Sequence, residues 1–330
     1  LIGVFVLKDN KGSIIVFSLI LGSVIMTLAT YLLYSSSLDN QIINTSINNI
    51  QASYIAEDKI NLYFGDKKYC DDLIYNLKYY IKYNKLCNHM YKNKSIFNKN
   101  NLEIFREDGI LKGSIKANSC YGNVNKTAVC IFNIINPIYN VSSPILLSSK
   151  VDNSEFFNDL TLTDFENKIE IIEVKNYDRV NLYLTNKSTN KIIIKFYRYG
   201  QDNPSKVKYL TKNQLFLVIK NDEMNNCSLS IFSEDNKLDN TLMGIIYVQG
   251  DLNLYHNITF NGIIGVSGGN LNVYSEEKPV VRGLLILDEY EEDKIEEKIN
   301  LILDKFLIEY YGIFLPDFIK PEVYVIKQKE

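Results

Sequence analysis

The stretch from Ser13 to Tyr34, SIIVFSLILGSVIMTLATYLLY, contains no charged side chain, and nothing else in the sequence restricts the chain so tightly. Wound as an α-helix it is about 33 Å long, enough to cross a hydrocarbon core of about 30 Å. A secretory apolar region usually runs about 7–15 residues, so a cleaved signal peptide is the weaker reading, although Ser35 and Ser37 are small enough to flank a cleavage site. Lys8 and Lys11 precede the span, and no Lys or Arg occurs from Ser35 to Asp58. The positive-inside bias therefore predicts a single-pass protein of the cell membrane, with a cytoplasmic N-terminus and an ectodomain outside. Position 1 is Leu rather than Met, so the first residues are not taken to define the true N-terminus.

The same sequence predicts that the helix continues past the membrane. No proline occurs before Pro137, and Gly22 is the only glycine between Ser13 and Phe64. Beyond the span, Ile43, Ile47, Ile50 and Tyr54 recur at spacings of four, three and four, one apolar stripe on a helix of 3.6 residues per turn. Asn, Gln, Ser and Thr fill the other faces, and Gly65 is a natural stop. A helix from Ser13 to Phe64 is about 78 Å long. Its plainest role is a signal anchor whose amphipathic extension packs on the ectodomain.

Beyond the helix the chain is expected to be mostly β. Apolar residues make up 46% of the chain, enough for a packed core. Leu73, Leu77, Tyr80 and Ile81 predict a short helix within 66–100. From Leu102 to Phe232, runs such as 169–174, Val180–Leu184 and Ile192–Phe196 alternate with turn residues and predict strands in a sandwich-like arrangement. Three starts then recur: Gly244-Ile245-Ile246, Gly262-Ile263-Ile264 and Gly283-Leu284-Leu285. They lie 18 and 21 residues apart. Each full unit carries a second strand, at Asp251–Leu254 and at Asn270–Val273. Periods near 20 with glycine-marked corners predict stacked coils of a right-handed β-helix, with an ordinary meander as the alternative. An open coil end needs a cover. Residues 288–311 are read as a capping helix, with acidic residues at its start and an apolar stripe of Ile295, Ile299, Ile302, Phe306 and Tyr310. The expected fold class is α+β. Its divisions are a leader at 1–12, the long helix at 13–64, a mainly β ectodomain at 65–240, repeats at 241–287 and a C-terminal helix and tail at 288–330.

Several functions are disfavoured. The chain carries 36 basic and 39 acidic side chains, a net charge of −3, and no Lys/Arg block, so nucleic acid is not an implied partner. The five cysteines, Cys70, Cys87, Cys120, Cys130 and Cys227, form no C-x-x-C pair. Pairing of Cys70 with Cys87 and of Cys120 with Cys130 is open, as is a set of free thiols. His89 and His256 are far apart and lack metal-ligand spacing. Cys87-Asn88-His89 has no oriented third group. No nucleophile elbow or phosphate loop is present. The expectation is a protein that is not an enzyme and that carries no cofactor and no metal.

A leader ending in Lys11-Gly12, an apolar span starting at Ser13, and an extension closing in Ala52-Ser53-Tyr54-Ile55-Ala56-Glu57-Asp58 resemble the N-terminal region of type IV pilin-like proteins. Within that group the chain is most similar to the PilX-like minor pilins of Gram-positive bacteria, and the resemblance covers roughly residues 8 to 60. It implies cleavage by a prepilin peptidase between Gly12 and Ser13, with Lys11 as the basic residue of the junction. It also implies packing of the helix, through Phe17, Ile43, Ile47, Ile50 and Tyr54, against other pilin-like subunits after the span leaves membrane lipid. In major subunits the fifth mature residue is Glu, whose carboxylate meets a neighbour's N-terminal amine. Here that position is Phe17, an apolar choice familiar in minor, tip-located or initiating members. The implied function is a minor structural subunit that initiates or decorates a type IV pilus or a related secretion pseudopilus. An uncleaved, membrane-anchored surface adhesin or binding protein, its surface ligand unidentified, is the alternative.

Overall fold

The computed structural model describes residues 11–84, 101–147, 171–174, 177–184, 191–213, 215–220, 227–233, 240–288, 292–315 and 317–329. The first element, helix α1 (Lys11–Gly65), is 55 residues long and unbroken. The sequence supplies the reason, since nothing in it interrupts the i to i−4 hydrogen-bond ladder until Gly65. Hydroxyls within the apolar half bond back to the helix's own carbonyls. Ser23 donates to Ile20 O (2.8 Å), Thr27 to Val24 O (2.8 Å) and Thr30 to Met26 O (2.7 Å). This helix is long and apolar enough to cross a membrane, with a mean hydropathy of 2.2 over a window of which no part is buried.

Asp66 caps the next helix, α2 (Lys67–Tyr83), accepting from the backbone N–H of Lys68, and Asn84 closes it in the left-handed conformation. Leu73 and Leu77 are fully buried on its inner face, as their spacing predicts. Strands β1 (Leu102–Glu107), β2 (Ile110–Tyr121) and β3 (Val124–Ile135) follow. Further along come β4 (Ile145–Leu147), β5 (Ile171–Val174), β6 (Arg179–Leu184), β7 (Lys191–Tyr197) and β8 (Lys206–Thr211). Next are β9 (Leu215–Ile219), β10 (Ser228–Ser233), β11 (Thr241–Gln249) and β12 (Leu252–Leu254). The last group is β13 (Thr259–Ser267), β14 (Leu271–Val273), β15 (Val280–Leu287), helix α3 (Glu292–Lys298), β16 (Asn300–Ile302), helix α4 (Lys305–Gly312) and β17 (Ile319–Lys329). The chain is thus one long apolar N-terminal helix followed by a mostly β remainder, an α+β protein.

Residues fall into two compact units. One comprises Leu1–Tyr63, Ile115–Cys130 and Val325–Glu330, the other Phe64–Ser114 and Ile131–Tyr324. A four-stranded sheet has the order β1-β2-β3-β17. The larger unit holds two more sheets. In the seven-stranded sheet the order is β16-β15-β13-β11-β9-β5, with β4 also on β15, and the pairing is parallel throughout. In the six-stranded sheet the order is β14-β12-β10-β6-β7-β8. Pairing is parallel from β14 to β6 and antiparallel from β6 to β8. The chain alternates between these two sheets from β9 to β15, and inward side chains of both merge into one core that includes Leu182, Ile194, Leu217, Ile231, Ile246 and Phe260. Burial of these apolar side chains, each stabilising by about 1.5–3 kcal/mol, holds the sheets face to face.

The three glycine starts lie side by side: Gly244 is paired with Gly262 and Gly262 with Gly283. They sit inside strands rather than at corners, which differs from the expectation. A Cβ at any of them would lie 1.9–2.0 Å from the carbonyl oxygen of the strand beneath, so these positions exclude a side chain. The corners are held otherwise. Asp251 accepts from Asn270 N (2.7 Å), and Asp288 accepts from Gly268 N (2.5 Å) and Ser267 Oγ (3.0 Å).

Three expectations change. Residue 240 is not a boundary between a sandwich and a set of repeats, because β9 and β10 already belong to the sheets that the repeats extend. Residues 288–311 do not form one helix. The open edge of β15 captures Asn300–Ile302 as β16, and Asp304 then starts a new helix by accepting from Phe306 N and Leu307 N. Ile295 and Ile299 still pack on the core, but Phe306 is exposed. Helix α4 and the turn after it pack beside the seven-stranded sheet, with Phe314 at 5.0 Å from Phe216 between ring centroids. Asp288 serves the corner at Ser267 and Gly268, while Glu289 and Glu291 lie outside the described residues. The tail forms a strand, β17, that pairs beside β3.

Candidate functional site

The long helix carries the feature that most needs a function. Within its own unit α1 packs through Ala52, Ala56, Ile60 and Tyr63, all buried. Their spacings of four, four and three put them on one face. Small side chains at 52 and 56 let the helix backbone approach closely. Ser119 Oγ donates directly to the carbonyl oxygen of Ala52, and Lys59 Nζ donates to Asn118 O (2.7 Å). Ser53 Oγ donates to Gln328 Oε1 (2.8 Å), and Gln328 Nε2 donates to Glu57 Oε1 (2.9 Å), tying the helix to β17. Gly122, in the left-handed region, leaves room for the Asn48 amide, which a Cβ there would meet at 2.7 Å.

The predicted stripe is not this packing face. Ile43, Ile47, Ile50 and Tyr54 are 48–63% exposed. At about 100° per residue they lie on the side of the helix roughly opposite Ala52, Ala56 and Tyr63. The extension of the helix packs within the unit, as expected, but not through this stripe. A second, less apolar face does that work, and its signal was the Ala52, Ala56, Ile60 spacing. Phe17 is 67% exposed in the apolar half of the same helix. Lys11, Gly12 and Ser13 lie in its first turn, and their side-chain surroundings are outside the described residues.

The remaining singled-out residues do not converge on the helix. Cys70, Cys120, Cys130 and Cys227 carry thiols rather than disulfides, so Cys120 and Cys130 are not joined, and Cys87 and His89 lie outside the described residues. Burial pushes the Cys130 thiol up to about 11 and the Cys227 thiol up to about 12, the latter with help from Asp178. His256 Nδ1 accepts from Ser233 N (3.2 Å), a bond that joins adjoining segments of the fold. No family model, curated protein or solved structure matches this chain.

Proposed function

We propose that the chain is a minor pilin-like structural subunit of a type IV pilus or related secretion pseudopilus, anchored by its first helix and assembling through it. The observation that carries this reading is the exposed stripe Ile43, Ile47, Ile50 and Tyr54. It continues the apolar span on the side of α1 away from its packing face. An apolar stripe in water on a helix already packed elsewhere is a surface for another helix. The resemblance of residues 8 to 60 to PilX-like minor pilins names the neighbour as a pilin-like subunit. Prepilin peptidase would cut between Gly12 and Ser13, with Lys11 at the cytoplasmic face. Phe17 in place of a glutamate suits a subunit that starts or decorates a fibre, since no buried carboxylate then requires a partner. The ectodomain lies outside the cell. Its alternating parallel strands, stacked at intervals of 18 and 21 residues, support a short right-handed β-helix-like region.

The test compares wild type, Gly12→Leu and Ile47→Asp in cells that carry a prepilin peptidase. Wild type begins at Ser13 by mass spectrometry and is recovered at low copy in sheared fibres. Gly12→Leu keeps its leader, and Ile47→Asp is processed but missing from fibres. An intact leader in wild type would replace this reading with that of an uncleaved surface protein. Copy number equal to the major subunit would sink the minor role.

A further inference from the structure

The outward face of the six-stranded sheet carries two straight rows of side chains that nothing in the helix explains. Register places Tyr209, Ile193, Tyr183 and Phe232 opposite one another on successive strands, and Tyr255 and Tyr274 extend the row just beyond β12 and β14. Five strand spacings make this row about 24 Å long. Four of its rings form a continuous stack. The centroids of Tyr183 and Phe232 are 5.2 Å apart, those of Phe232 and Tyr255 4.6 Å, and those of Tyr255 and Tyr274 4.8 Å, with ring planes within 16° of parallel. Beside it runs a polar row in which Asn272 Nδ2 donates to Asn253 Oδ1 (3.0 Å), followed by Ser230, Asn181 and Lys195. Tyr209, Tyr255 and Tyr274 are among the exposed large side chains of the chain.

The strands of this face carry basic but no acidic side chains, and the carboxylates of Asp178, Asp251, Glu276 and Glu277 stand just beyond strand ends. None of the six strands contains Asp or Glu, in a chain with 39 of them and a net charge of −3. Arg179 and Lys195 are held in place by aromatic faces. The Arg179 guanidinium lies 4.5 Å from the centroid of Tyr197, and Lys195 Nζ lies 4.6 Å from that of Tyr183. The cations are therefore preorganised beside the stack.

We propose that this face binds an acidic glycan chain laid across the strands. The stacked rings spend their faces on one another, so Tyr255 and Tyr274 present edges and phenolic hydroxyls, whereas Phe232 has no hydroxyl and that of Tyr183 accepts from Asn181 Nδ2 (3.0 Å). With the Asn253 and Asn272 amides and the exposed Tyr209, these hydroxyls place hydrogen-bonding groups along the row, suited to an extended polymer that offers hydroxyls of its own. The cations at the β6–β7 end match carboxylates on that polymer. Single-stranded nucleic acid is a poorer occupant, because successive bases need successive free ring faces, and the free ones here, on Tyr274 and Tyr209, stand at opposite ends of the row. This role holds whether the chain sits in a fibre or alone in the membrane.

The test uses the full chain in lipid nanodiscs on a sensor surface. Its probes are polygalacturonate and hyaluronate, with neutral dextran, polyglutamate and oligo(dT) for comparison. At least one acidic glycan binds, and dextran, polyglutamate and oligo(dT) bind at least about tenfold more weakly. Raising salt from about 0.1 M to about 1 M, which shortens the Debye length from about 10 Å to about 3 Å, releases the glycan. Tyr274→Ala and Lys195→Glu each weaken binding about tenfold with an unchanged unfolding midpoint, while Phe306→Ala, exposed on α4, leaves it unchanged. Absence of binding to both acidic glycans overturns the proposal. Equal binding of dextran removes its charge argument, and equal binding of polyglutamate or oligo(dT) shows a face selective for anions rather than for glycans. A loss with Phe306→Ala as large as with Tyr274→Ala places the site elsewhere.

Discussion

A Cβ built on Gly262 would lie 1.9 Å from the carbonyl oxygen of Gly244, in the strand directly beneath it. Gly283 stands in the same relation to Gly262 at 2.0 Å, so the three glycines form a ladder in which backbone occupies the space a side chain needs. Gly262→Ala is expected to destabilise the larger unit by about 3–5 kcal/mol, since the obstacle is main chain and the φ of +144° strains any other residue. Gly268 also has a positive φ, but open space surrounds its absent Cβ. Gly268→Ala is expected to cost only about 1 kcal/mol. Urea unfolding followed by far-UV circular dichroism separates the two. Equal midpoints would show that the ladder is not under the stated constraint.

The two faces of α1 respond to substitution in opposite ways. Ala56 is buried where the helix approaches β2, so Ala56→Leu is expected to destabilise by about 1–3 kcal/mol through overpacking. Ile47 is 48% exposed, and Ile47→Asn is expected to change stability by no more than about 0.5 kcal/mol. Thermal unfolding in detergent measures both. A large loss for Ile47→Asn would mean that the stripe packs within the monomer.

Thiol chemistry follows burial. The thiolate is the reactive form, and the raised values of Cys130 and Cys227, about 11 and about 12, leave it scarce at about pH 8. Iodoacetamide at that pH is expected to label exposed Cys120 in the native protein and to reach Cys130 and Cys227 only after unfolding. The labelling of the buried pair should rise with pH above about 10 as their thiolates form. Peptide-resolved mass spectrometry reads each site, and rapid native labelling of Cys227 would contradict its burial.

Arg106 and Glu309 meet in a two-pronged ion pair that links β1 to α4, with Nη1 to Oε1 at 3.0 Å and a second contact between Nη2 and Oε2. The Glu309 side chain is 11% exposed and that of Arg106 49%. Removing the arginine leaves a nearly buried carboxylate unpaired, so Arg106→Met is expected to cost about 1–3 kcal/mol. The double variant Arg106→Met/Glu309→Met should recover part of that loss. A double-mutant cycle with no coupling energy would show the pair to be incidental.

The sequence alone determined the elements whose causes are local. No proline and one glycine over more than fifty residues leave a helix no reason to break before Gly65, and the charge-free run sets where it can meet lipid. Asp66 and the Leu73, Leu77 spacing place α2. The recurrence of Gly-Ile-Ile located strands that do pair with one another. Tertiary structure decided what depends on distant partners. Helix α1 had two candidate faces, and the more apolar one lost. Close approach to β2 favours alanine, and a serine hydroxyl from that strand reaches the Ala52 carbonyl only across small side chains. The helical pattern over 288–311 was real, yet an unpaired edge on β15 offered backbone hydrogen bonds that a solvent-exposed helix turn could not match. The aromatic row on the six-stranded sheet was hidden for the same reason. Tyr183, Phe232, Tyr255 and Tyr274 lie far apart in sequence, and only strand register, a long-range property of the folded sheet, lines up their rings.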